Sequence, residues 1–217
     1  ETYSLLIEAF FRSHDEKRKA YNAIHYYPSI KKISEWVFKW MDPKKPLAER
    51  VIAFACVEGI FFSSAFAAIY WIKKKNILKG LCKANEWIAR DEALHTEFAI
   101  ALYHILTGPE EKCDSLEEER VHEIINSATL AAEEFTREAL RVDLIGMNAD
   151  DMIKYIQCTA DRLSMSLGYQ TIYDVQNPFD WMAVISLPNK SNFFETKVSE
   201  YARQDEANFD FDLEAEF

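Results

Sequence analysis

At 217 residues, with 49% hydrophobic and 14% aromatic composition, the chain is long enough to bury one substantial core. Only five Gly and six Pro interrupt it, so long stretches of helix formers predict an all-α fold. The 25 Lys+Arg against 36 Asp+Glu give a formal net charge of -11, which repels phosphate backbones and anionic lipid; neither nucleic acid nor a membrane is an expected partner.

The chain opens on Glu1-Thr2-Tyr3-Ser4-Leu5-Leu6, with no basic signal region, and runs straight into apolar periodicity, as a chain entered in mid-domain would. Cys56, Cys82, Cys113 and Cys158 show no CxxC spacing, which argues against a disulfide framework or zinc knuckle and fits a reducing, cytoplasmic setting.

From Val51 to Ile72 the sequence reads VIAFACVEGIFFSSAFAAIYWI, long enough to span a bilayer, with Glu58 as its only strongly polar member. Lysines and an arginine flank it on both sides (Lys44, Lys45 and Arg50; Lys73, Lys74 and Lys75), so no positive-inside asymmetry supports a membrane span. A helix apolar all round is equally one surrounded by other helices. Glu58 then becomes the residue to explain, because a carboxylate in low dielectric is costly unless paired, protonated or bound to a metal. Its helical neighbours Phe54, Ala55, Phe61 and Phe62 provide no partner.

The next predicted helix, about Leu81 to Leu106, contains ARDEALHTEF. At about 100° per residue, Leu81, Ala84, Ile88, Ala99, Leu102 and Leu106 form one stripe, with Asp91, Glu92 and His95 within about 60° of its centre. Glu92 and His95 are i,i+3 neighbours and can hold one ion or two adjacent ions. Carboxylate oxygens with one imidazole suit iron or manganese. Helix bundles that bind two metals through carboxylates use one Glu from each of two helices and a Glu-x-x-His from each of two others; Glu58, Glu92 and His95 are half of that set.

A second Glu-x-x-His, Glu119 to His122, would complete a pattern search. Its helix has an apolar stripe through Val121, Ile124, Ile125, Ala128, Ala131, Ala132 and Phe135, from which His122 lies about 120° and Glu119 about 180° away. The pair is expected to face solvent, and the acidic run Glu117-Glu118-Glu119 reads as complement to a helix start. The carboxyl end, NFDFDLEAEF, alternates acidic and apolar residues without a helical stripe and reads as a solvated tail.

The segment VEGIFFSSAFAAIYWIKKKNILKGL followed by NEWIARDEALHTEF resembles the small subunit of class I ribonucleotide reductase, in its eukaryotic or viral form. EEFTREAL, LIGMN, ADRL, NPFDWM, NFFE and EY continue the resemblance in order to the carboxyl terminus. It implies a ferritin-like helical bundle over 1–203 and a tail over 204–217. It also implies a di-iron centre, with manganese as the alternative metal, ligated by Glu58, Glu92 and His95. Asp91 would hydrogen-bond a histidine ligand. Phe62, Phe66 and Ile88 would line a dry pocket around a tyrosyl radical on Tyr3, and Tyr201 would pass that radical toward the large catalytic subunit. Phe211, Leu213, Glu216 and Phe217 would dock on that subunit. A homodimer is expected as well. The family's three other ligands, an Asp and a second Glu-x-x-His, would fall ahead of Glu1, which is not itself a ligand. The expectation is therefore an amino-terminally shortened chain holding half of the site, inactive alone. Two alternatives are another ferritin-like di-iron oxidase, which needs neither Tyr201 nor a docking tail, and a scaffold paralogue without metal.

Overall fold

Alternation of helix formers with short capping signals produces helices throughout. This computed structural model describes residues 2–108 and 113–179, with side chains from Ser4 onward. In chain order the helices are α1 (Thr2–Phe10), α2 (His14–Tyr21), α3 (Ala23–Tyr26), α4 (Pro28–Met41), α5 (Leu47–Cys56), a π-helical turn (Val57–Phe61), α6 (Ser63–Lys74), α7 (Lys79–Leu106), α8 (Glu118–Ala139) and α9 (Ala149–Ser166). Among the described residues there is no β-strand, only an isolated bridge between Leu144 and Met147.

The helix starts follow local chemistry. Ser13 and Glu16 close a capping box on α2, Pro28 opens α4 where its missing N–H costs nothing, and the Asn148 side chain accepts from the Asp151 N–H at the start of α9. The start of α7 is different. Leu78 occupies the left-handed region, at φ 52°, and no side chain caps the helix it precedes.

The apolar stretch read from Val51 to Ile72 is the middle of the rod formed by α5, the π turn and α6. This rod and α7 pack antiparallel as a hairpin, joined near its turn by the Lys73–Glu86 ion pair. On the side of the rod that α7 leaves, α8 and α9 pack, and α4 lies against α8. Ile52, Ala55, Cys56, Ile60 and Ala67 are consequently sealed from solvent, as are Ile124, Ile125 and Ile156 on the helices that cover them. Each such isoleucine contributes roughly 1.5–3 kcal/mol by burial. Leu47–Lys74 is long and apolar enough to cross a membrane, with a mean hydropathy of 1.9 over its best window, but half of that window is buried within this fold. Helix packing accounts for its composition. All four cysteines are free.

Aromatic residues and one ion pair tie α4 and α8 to this centre. The Trp36 indole N–H donates to Ser127 Oγ at 2.8 Å, and its ring meets Phe61 edge-on at 5.1 Å. Arg120 on α8 grips Glu49 on α5 through two hydrogen bonds, at 2.7 and 3.0 Å, while stacking over Trp40. Asp161 on α9 serves the loop that follows, its Oδ1 accepting the N–H groups of Ile172 and Tyr173 at 2.8 Å each.

Candidate metal centre

The π turn is what positions Glu58. A π turn inserts one residue into an α-helical path, and here it occupies Val57–Phe61, so Glu58 sits at the inserted turn. Gly59 beside it allows α7 to approach closely: a Cβ at that position would lie 3.1 Å from Thr96 Cγ2. Thr96 in turn donates its hydroxyl to the Glu92 carbonyl at 2.9 Å, one turn back on α7.

This close contact brings the three sequence-predicted ligands together. Glu58, Glu92 and His95 present ligand atoms that all lie within 4.8 Å of one another. His95 Nδ1 is 2.8 Å from Glu92 Oε2 and 3.7 Å from Glu58 Oε2. Burial, reinforced by the neighbouring Glu92 carboxyl, raises the Glu58 carboxyl to about 7. The Glu58 hydrogen bond lowers Glu92, and the Glu92 carboxylate raises His95. The surroundings thus bias Glu58 toward its neutral form, while Glu92 and His95 favour each other's charged forms. A divalent cation among the three would offer all of them a favourable positive charge. Two hard carboxylate oxygens and one imidazole nitrogen suit iron or manganese, so the donors present fit one side of a two-metal carboxylate site.

One expectation needs correction. The sequence stripe placed Asp91, Glu92 and His95 on the core face, but only Glu92 and Glu58 are mostly covered, at 20% and 14% side-chain exposure, whereas His95 is 53% exposed and Asp91 is exposed too. The buried residues of α7 are Cys82, Asn85, Ala99, Tyr103 and Leu106, an arc turned about 60° from the stripe expected for that helix. Within the described residues the apolar stripe of α7 is wider than the surface its neighbours cover, and the ligands lie on the uncovered border. Phe62 is exposed and stacks on Phe66, with ring centroids 6.1 Å apart; Phe66 and Ile88 are half-buried. Tyr3 lies on α1, its side chain outside the described part. Tyr201 and the tail residues Phe211, Leu213, Glu216 and Phe217 lie outside the described residues.

The second Glu-x-x-His is otherwise engaged. Glu119 is exposed, and the His122 ring donates from Nε2 to the Gln170 carbonyl at 3.1 Å. Gln170 returns its own N–H to Glu118 at 2.8 Å, which ties the start of α8 to the loop after α9. Sequence reasoning did not anticipate the π turn, the Glu49–Arg120 pair or the Asp161 cradle. Only the π turn had a local signal, a Gly directly after an otherwise unpartnered carboxylate.

A helical bundle with one carboxylate on a π turn and a Glu-x-x-His on the facing helix matches one side of the carboxylate-type two-metal bundle template. Residues 1–178 match the family Ribonucleotide reductase, small chain, and the chain belongs to that family. It is 47% identical over 203 residues to the ribonucleoside-diphosphate reductase small chain of Nicotiana tabacum, covering 94% of this chain and 60% of that one. The small subunit of Dictyostelium discoideum is 49% identical over 203 residues, with 94% and 58% covered. Subunit M2 of Mesocricetus auratus is 45% identical, with 100% and 55% covered. The chain thus spans a little over half the length of these relatives. Among solved structures, the Rnr4 homodimer of Saccharomyces cerevisiae superposes with a TM-score of 0.71 at 29% identity, over 92% of this chain and 59% of that one. A class I ribonucleotide reductase from Bacillus halodurans gives a TM-score of 0.74 at 20% identity, over 84% and 68%, which bears on the fold alone. The all-α, ferritin-like expectation holds.

Proposed function

We propose that the chain acts as the radical-generating part of a ribonucleoside-diphosphate reductase small subunit, in the cytosol, where its redox equivalents serve the reduction of ribonucleotides on a large subunit. The observation that carries this reading is the convergence of Glu58, Glu92 and His95 within 4.8 Å across the π turn and α7. Glu58 and Glu92 hold metal through carboxylate oxygen and His95 through imidazole nitrogen. When bound, a pair of iron ions, or manganese in their place, supplies the oxidising power that oxygen alone cannot deliver in one-electron steps.

The remaining roles follow from chemistry at named residues. Tyr3 gives up an electron from its ring and its hydroxyl proton to become the stored radical. Half-buried Phe66 and Ile88, with Phe62 at the exposed edge, are the apolar side chains that would shield that ring, since a dry apolar wall suppresses side reactions. Asp91 orients a metal-bound imidazole and carries a proton as the electron moves, and Tyr201 receives the radical on its way out. The acidic, aromatic tail around Phe211, Leu213, Glu216 and Phe217 orders on the large subunit, with the terminal carboxylate captured there.

Electron paramagnetic resonance tests the proposal. The chain, joined at its front to the preceding helices of a full-length relative, is loaded with ferrous iron and exposed to oxygen. An organic radical signal that disappears in Tyr3→Phe is the expected result. Two irons bound with no radical signal, or a signal unchanged in Tyr3→Phe, would refute the assignment. For the tail, removal of 208–217 should abolish binding to the large subunit at unchanged iron content.

A further inference from the structure

The stretch leading into α8 carries a serine that neither the fold nor the metal reading uses. Ser115 is exposed, and its hydroxyl makes no hydrogen bond among the described residues. Its backbone is non-helical from Asp114 to Glu117, and α8 begins at Glu118. The next residue, Leu116, is held from inside. Its N–H donates to the Tyr103 hydroxyl at 3.2 Å, and its carbonyl accepts from the Tyr169 hydroxyl at 2.8 Å. Leu116 is therefore half-buried, while Ser115 and Glu117 on either side of it are exposed. Acids surround the serine: Asp114 precedes it and Glu117, Glu118 and Glu119 follow, all exposed. The next cation along the chain, Arg120, is engaged by Glu49 and Glu123.

From this exposed, unengaged hydroxyl in an acidic setting we propose that Ser115 is a phosphorylation site, served by a serine/threonine kinase whose substrate groove is basic. In the transfer the γ-phosphorus of ATP gains a bond to Ser115 Oγ and loses its bond to the β–γ bridging oxygen. The hydroxyl proton passes to the base of the kinase, and ADP leaves. Nothing is oxidised or reduced. The site stands apart from Glu58, Glu92 and His95, so it is independent of the metal reading.

A basic groove selects its hydroxyl by the acids that follow it, because complementary charge favours the right segment and like charge rejects the wrong one. The hydroxyl residues with an acid three positions on are Ser13, Thr107, Ser115 and Thr171. The fold spends the other three. Ser13 donates to Glu16 Oε2 at 2.9 Å and accepts the Glu16 N–H at 3.1 Å within the capping box. Thr107 is half-buried and donates to the Tyr103 carbonyl at 2.9 Å. Thr171 is half-buried too, and the N–H groups of the two residues after it are locked onto Asp161. Ser115 alone of the four combines exposure, an unengaged hydroxyl and acids on both sides. A phosphoserine adds a charge of about -1.5 to -2. It falls beside Glu118, whose carboxylate holds the Gln170 N–H, so like-charge repulsion loosens the tie between the start of α8 and the loop after α9.

Phosphate transfer to the 217-residue chain decides the matter. The chain is incubated with magnesium ATP and either an acidophilic or a basophilic serine/threonine kinase, and phosphate is located by peptide mass spectrometry. Phosphate on Ser115 is expected with the acidophilic kinase, at least about tenfold faster than with the basophilic one. Ser115→Ala should abolish that label with unchanged helical circular dichroism. Glu118→Gln, which keeps an acceptor for the Gln170 N–H, should slow transfer to Ser115 at least about fivefold. Label confined to other hydroxyls, transfer no faster with the acidophilic kinase, or a rate insensitive to Glu118→Gln overturns the proposal.

Discussion

Glu92 with His95 and Glu119 with His122 have the same residues at the same spacing, on two long helices of one bundle. The first pair stands opposite the Glu58 carboxylate, within ligand-sharing distance, and its imidazole is pulled toward two acidic groups. Among the described residues the second pair joins no comparable cluster: its histidine is spent on the Gln170 carbonyl, with the exposed Glu118 carboxylate 3.6 Å from the same nitrogen, and Glu119 faces water. Between its two members sits Arg120, whose guanidinium serves Glu49 and Glu123. What separates a candidate metal site from a structural clasp here is therefore the element across from the motif. A π turn with Glu58 faces one pair, and a loop backbone faces the other.

Removing Arg120 should give the largest effect on stability. In Arg120→Ala the Glu49 carboxylate, only 9% exposed, loses its partner. Breaking a fully buried pair costs ~3–5 kcal/mol, and because a third of Arg120 meets solvent we expect about 2–3 kcal/mol by denaturant unfolding. The pH dependence has a definite sign. Arg120 holds the folded Glu49 carboxyl below its ordinary range, so the stabilisation is complete above the unfolded carboxyl's pKa, about 4.3, and is lost as pH falls through the lowered folded value. The stability gap between wild type and Arg120→Ala should shrink from about pH 7 to about pH 3. A gap independent of pH would show that lost packing on Trp40, rather than charge, carries the effect.

Gly59→Ala comes next. Its Cβ would press on Thr96 Cγ2 at 3.1 Å, and the expected cost is about 1 kcal/mol with weaker metal binding, since α7 must shift relative to Glu58. Thr96→Ser, which deletes the offending methyl, should rescue both in the double variant; failure of rescue would locate the strain elsewhere. His122→Ala should cost about 0.5–1.5 kcal/mol, the loss of one partly shielded hydrogen bond, with metal affinity untouched. Glu119→Gln, at an exposed position, should change stability by less than about 0.5 kcal/mol.

Much of the fold was legible because long helices advertise themselves through apolar periodicity and scarce Gly and Pro. The apolar Val51–Ile72 stretch was read as a buried rod, and α8 buries Val121, Ile124, Ile125, Ala128 and Ala132 from its expected stripe. The grouping of the three candidate ligands was likewise readable, since a Glu in an apolar helix demands an explanation. The degree of cover was not. A hydrophobic stripe records every surface a helix is made to bury, and it does not say which neighbour covers each part. Hence Asp91 and His95 were placed inside while the structure leaves them at an open edge. The π turn escaped notice because inserting one residue changes no composition, and the Glu49–Arg120 pair escaped because its members stand 71 positions apart.

On the reading proposed above, the open-edged trio, and not the second Glu-x-x-His, binds metal. Manganous ion titrated under argon, followed by loss of its free-ion paramagnetic resonance signal, compares wild type with Glu58→Gln and with the Glu119→Gln/His122→Ala double variant. The double variant should bind as wild type does, and Glu58→Gln at least about 100-fold more weakly, a difference of about 2.7 kcal/mol. Binding that survives in Glu58→Gln, or fails in the double variant, would contradict it.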